Sequence, residues 1–165
     1  MAGNVQGARM TAAACGDVVV FLIGMRVNKL RALRSWLPVF TAMPRMLKEL
    51  SKDSSSGLLG YRLLVGGVRE ITVLQYWESE EALFAYASAA DKEHRPAWAA
   101  YNSRARNSGA DVGIWHETYA VPAGRYESSY VNMPPYGLGA ARGTEPVGLR
   151  GERAAERMSS RPGKG

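Results

Sequence analysis

Apolar positions along the chain fall into blocks with two different periods. Residues 17–27 read as a strand, and residues 18–25 within them are hydrophobic on both sets of alternate positions, so both faces are expected to be covered. Leu30, Leu33, Leu37, Phe40, Met43, Leu47 and Leu50 then recur every three or four residues, which is one stripe of a helix. Asn28 is the expected N-cap of that helix. Pro38 and Pro44 fall inside the stripe; each lacks an N–H and crowds the preceding turn, so a kink or two short helices is predicted. Residues 58–65 and 71–77 form two more strand patterns joined through Gly66-Gly67, a pair that tolerates the positive φ of a hairpin. Ser79 caps a second helix with Glu80 and Glu81 at its positive end, and Leu83, Tyr86, Ala90 and His94 lie on one stripe of it. After the break at Pro96, a second helical piece carries Trp98, Tyr101 and Asn102, and residues 111–121 form a last strand.

The order is strand, helix, strand, strand, helix, strand. That is the split βαβ, ferredoxin-like α+β arrangement (βαββαβ), with four antiparallel strands and helices on one face. The opposite face of the first strand is also apolar, which predicts a homodimer packed sheet against sheet into a shared barrel. Around this domain, taken as residues 17–121, the composition predicts a loose arm over 1–16, an ordered Pro, Tyr and Gly-rich extension over 122–139, and a disordered basic tail over 140–165.

Composition narrows the function mainly by exclusion. One cysteine, Cys15, cannot form an internal disulfide. The most apolar run, 18–25, ends at Arg26, far short of the roughly 20 residues a membrane span needs, so no membrane partner is expected and the cytoplasm is the expected location. The formal charge is +6, but the basic residues do not interleave with aromatics on any element, so no nucleic-acid partner is expected. There is no glycine series at a strand–helix junction, no Cys/His cluster, and no Gly-x-Ser-x-Gly elbow.

What remains is a set of aromatics and two histidines. His116 lies in the last strand; alternation puts Ile114 and Thr118 on its own face, and Trp115, Glu117 and Tyr119 on the other. His94 ends the apolar stripe of the second helix. Trp98 and Asn102 are one turn apart beyond it, and Tyr76 and Trp77 end the third strand on opposite faces. An imidazole titrates near neutral pH and suits a proton acceptor or an iron ligand. Each residue also has a structural role open to it: hydrogen bonding for the histidines, core packing for the tryptophans.

Four segments, Phe21-Leu-Ile-Gly-Met-Arg-Val-Asn28, Ala42-Met-Pro-Arg-Met46, Asp111-Val-Gly-Ile-Trp-His-Glu-Thr-Tyr119 and Tyr130-Val-Asn-Met-Pro-Pro-Tyr-Gly-Leu-Gly139, resemble a family of uncharacterised domains grouped with a monooxygenase-like protein of the fungal fumagillin pathway. The resemblance runs over roughly residues 8–139. More broadly, Tyr76-Trp77-Glu78-Ser79-Glu80-Glu81-Ala82-Leu83 and His94-Arg-Pro-Ala-Trp98 resemble the antibiotic-biosynthesis monooxygenase superfamily of dimeric α+β barrels. That resemblance implies three alternatives. The first is a monooxygenase acting without a cofactor on a small apolar or aromatic molecule, with His116 or His94 as base, Asn102 and Tyr76 as hydrogen-bond donors, and Trp77, Trp98, Trp115 and Tyr119 around the pocket. The second is a haem protein with His94 or His116 on the iron, the former being the position that best matches the haem-binding members. The third is a ligand-binding dimer without catalysis. Pro38, Pro44 and the 122–139 extension depart from the short members of the superfamily.

Overall fold

The computed structural model describes residues 4–89, 99, 101–103 and 109–159. In chain order the elements are β1 (Met10–Ala12), β2 (Val18–Val27), α1 (Leu33–Lys52), β3 (Leu58–Val65), β4 (Glu70–Trp77), α2 (Glu80–Ser88), β5 (Val112–Val121), α3 (Leu138–Arg142), β6 (Thr144–Pro146), a 3-10 turn (Val147–Leu149) and α4 (Ala154–Ser159). Residues 101–103 are helical as well.

Strands β3, β4, β2 and β5 form one antiparallel sheet in that order, which is ferredoxin-like topology. Strand β2 is central and pairs along its whole length, with Ile23 opposite both Val73 and His116. The hairpin between β3 and β4 closes where the Gly66 amide donates to the Glu70 carbonyl, with Gly67 at φ 103° supplying the conformation that glycine tolerates. Helix α2 begins as expected: the Ser79 hydroxyl accepts from the Ala82 amide at 3.1 Å, with Glu80 and Glu81 in the first turn.

Alternation sorts β2 onto two faces, and the core follows. On one face Val19 packs with Trp77, Leu50 and Leu83, while Met25 and Val27 pack with Val112, Trp36, Val39 and Tyr101. On the other face Val18 and Val20 pack with Ala12, Ala14, Leu138, Tyr126 and Tyr130, which come from the two ends of the chain. The 122–139 extension therefore lies over the outer face of the sheet.

Three expectations change. Helix α1 is one element with both prolines inside it, beginning at Leu33 with no side-chain cap. Asn28 does not cap it; its side chain donates instead to the Ala110 carbonyl, and Lys29 and Ser35 bind Asp111, which ties the start of α1 to β5. The segments read as a loose arm and a disordered tail are also built into the fold over the described residues. β1 and β6 pair as a second sheet, with Thr11 opposite Glu145, and Val147 is 3% exposed. The reason is pairing across the chain, which composition does not report. The buried Arg157 guanidinium binds Glu127 at 2.9 Å, and Arg9 binds Glu152.

Candidate functional site

Helix α1 meets the sheet at its two ends. Trp36 and Val39 join the Met25 cluster near its start, and Leu50 joins the Val19 and Trp77 cluster near its end. Between these anchors lies a cavity of about 1080 Å³. Its floor is Ile23, Met25, Ile71, Val73 and Ile114 from the sheet; its wall is the α1 stretch from Leu37 to Lys52, with Tyr61 and Leu63 on the side of β3. Pro38 and Pro44 sit in that wall and each removes one helical hydrogen bond from it.

The cavity is largely apolar, and three of its hydroxyls are occupied. The hydroxyls of Thr41 and Ser51 donate to the Pro38 and Leu47 carbonyls, and the Tyr101 hydroxyl donates to the Val112 carbonyl at 3.2 Å. Arg45, Lys48 and Lys52 bring the charge to its lining. Such a site holds an apolar molecule by burial and is poor at fixing one by hydrogen bonds. None of the described lining residues is His, Cys, Asp or Glu, and no cluster of metal-ligating side chains occurs among the described residues. The described lining offers no imidazole or thiolate to a haem iron, and His94, the position matched to the haem-binding members, lies outside the described residues.

His116 stands next to this cavity. It shares a sheet face with Ile114, lies opposite Ile23, and packs its ring 5.8 Å from that of Phe21. It is exposed. Asn102 is half-buried, next to Tyr101 of the cavity lining. His94 and Trp98 lie outside the described residues.

The other residues singled out in the sequence lie elsewhere. Trp77 is wholly buried, donates to the Gln75 side-chain carbonyl at 2.8 Å and packs against Tyr86; it does not line this cavity. Trp115 and Tyr119 are on the outer face. The Trp115 indole lies over Gly24, where a Cβ would come within 2.5 Å of it, and the Tyr119 hydroxyl donates to Glu117, which raises its pKa. Tyr76 is on the outer face too, in a second, smaller pocket of about 280 Å³ closed by the extension. Burial there raises its pKa.

The cavity wall was the part that sequence reasoning missed. The signal was present: Leu37, Phe40 and Met43 lie on the apolar stripe of α1, around the two prolines.

The sheet order and the cavity between helix and sheet define a ferredoxin-like α+β protein with a large apolar cavity. Residues 18–138 match the family model described as Monooxygenase af470-like, and the chain belongs to that family. It is 31% identical over 133 residues to Monooxygenase af470 of Aspergillus fumigatus, an alignment covering 75% of this chain and 46% of that protein. The chain thus spans about half the length of the curated relative it matches. Among solved structures, an aldoxime dehydratase in complex with butyraldoxime matches with a TM-score of 0.65 at 14% identity, over 87% of this chain and 41% of that one. SnoaB, a cofactor-independent oxygenase from Streptomyces nogalater, matches with a TM-score of 0.45 at 12% identity, over 62% of this chain and 91% of its own. No helix among the described residues is long and apolar enough to cross a membrane.

Proposed function

We propose that the protein is a monooxygenase-like enzyme that takes a small apolar molecule into the cavity under α1, with His116 as its proton acceptor. The observation that carries this reading is the placement of the one described histidine beside Ile114 and opposite Ile23, two residues of the apolar floor. Membership of the Monooxygenase af470-like family supports the reaction class.

In this reading the substrate supplies the electrons. An acidic C–H loses its proton to the His116 imidazole, and the carbanion adds O₂ to form a peroxide anion. The imidazolium returns the proton, and loss of water from the hydroperoxide leaves a carbonyl at the carbon that was deprotonated. One O₂ becomes one carbonyl oxygen and one water without an external reductant. The apolar wall keeps water from protonating the carbanion first. Two copies of the chain form the working unit in this reading. Its support is that Trp115 leaves an indole 38% exposed on the outer face of the sheet.

Anthrone, an apolar tricyclic ketone with an acidic methylene, is a suitable probe. The protein is expected to raise O₂ uptake and quinone formation above the buffer rate, and His116→Gln to lower the rate by about 10²–10⁴-fold. Ile23→Phe, which fills the cavity floor, is expected to abolish saturation by the probe. Equal rates for the wild type and His116→Gln remove the histidine from the mechanism, and a wild-type rate equal to buffer removes this substrate class. Light scattering tests the assembly: a mass near twice 17.9 kDa is expected, and a stable monomer overturns the dimer.

A further inference from the structure

The pocket on the outer face is separated from the large cavity by the thickness of the sheet. Arg62 and Tyr76 reach it from β3 and β4, Val18 and Val20 form its floor, and Tyr130 and Tyr136 of the extension close it. Its volume, about 280 Å³, has room for a substituted ring and is too small for a haem.

Arg62 is the unusual group in it. The side chain is half-buried, with its guanidinium carbon 3.3 Å from the centre of the Tyr136 ring. At that distance the planar group lies against the ring face, leaving its N–H edges for another contact. Arg62 makes no hydrogen bond or ion pair among the described residues. The one acid in the lining, Glu127, is already held by Arg157 through hydrogen bonds of 3.0 and 2.9 Å. A half-buried guanidinium with open donors fits a carboxylate, which it binds through two parallel hydrogen bonds.

The rest of the pocket says what the carboxylate should be attached to. The tyrosine rings and the two valines offer aromatic and aliphatic surface to a flat apolar body. The Tyr76 hydroxyl is engaged by the Leu138 backbone and donates no hydrogen bond of its own among the described residues, so its proton is left for a polar substituent. Burial favours the protonated phenol, which keeps it a donor at neutral pH.

We infer that this second pocket binds a small aromatic carboxylate, held at its charged end by Arg62 and along its ring by Tyr130 and Tyr136. It is a different site from the cavity under α1, and it stands whether or not that cavity carries out oxygenation.

Calorimetric titration with benzoate, and with benzyl alcohol as its uncharged counterpart, tests this on the full chain. Wild-type protein is expected to bind benzoate saturably and at least ten times more tightly than benzyl alcohol. Arg62→Met should abolish that preference, Tyr76→Phe should leave the preference in place, and Ile23→Phe in the other cavity should leave benzoate binding unchanged. If Arg62→Met does not fold, Arg62→Lys takes its place and should weaken benzoate binding at least threefold, since a lysine keeps the charge and loses the fork. Benzoate bound no more tightly than benzyl alcohol by the wild type, or equally well by the Arg62 variant, overturns the assignment. Loss of benzoate binding in Ile23→Phe also overturns it, by moving the ligand to the large cavity.

Discussion

On one side of the sheet helix α1 is anchored at both ends and leaves about 1080 Å³ beneath its middle; on the other, segments from both ends of the chain press onto the strands and leave about 280 Å³. The first space is walled by one continuous element with proline-depleted hydrogen bonding. The second is closed by pieces joined through a backbone ladder, ion pairs and tyrosines. The same strand alternation produces both, since β2 is apolar on each face. The contrast teaches that an apolar face can be met by a helix, which tends to leave room, or by an extension, which fits closely and brings polar groups with it.

The contrast can be broken first by removing the cover. Truncation after Gly143 deletes β6, Val147 and the Arg157–Glu127 pair, and is expected to lower unfolding free energy by about 3–5 kcal/mol in urea titration. An unchanged midpoint would return residues 144–159 to the status of a passive tail. A smaller effect is expected where Trp115 crosses the sheet. Gly24→Val places atoms where the indole lies and should cost about 1–3 kcal/mol, with a shift in tryptophan fluorescence as the ring is displaced. Unaltered fluorescence would show that the ring does not rest there.

The smallest effect concerns the join between α1 and β5. Lys29 and Ser35 hold the Asp111 carboxyl below its ordinary pKa of 3.8. A lowered folded pKa means the contribution to stability is present above that ordinary value and is lost as pH falls through the lower one. The wild-type midpoint should therefore fall more steeply than that of Asp111→Asn as pH drops below 3.8. Parallel curves would remove the carboxylate from the tether.

The elements of the four-stranded sheet were legible because each carries its own period. The expected ranges 58–65 and 111–121 lie within a residue of β3 and β5, and Ser79 announces α2. The start of α1 was misread because Asn28, a good cap by type, is drawn away by the Ala110 carbonyl, a neighbour distant in the chain. The second sheet left no periodic trace: three residues in β1 and three in β6 are too few for a pattern. Nor does spacing bring Arg62 to Tyr136, because they meet only when the extension folds back over the strands. His116 was readable as a strand histidine with a defined face; its nearness to a cavity depended on how α1 packs, which proline positions hint at without fixing.

The ladder between β1 and β6 also sets an order of events. The four-stranded sheet has all its strands once Val121 is made, whereas Met10 cannot find Pro146 until residue 146 has been made. Contacts this distant in sequence are slow to form. During that interval Val18, Val20 and Tyr76 lack their cover, and newly made chains present a sticky surface to one another. Yield is thus decided between the making of Val121 and of Pro146, and slower translation across that stretch lengthens the exposure.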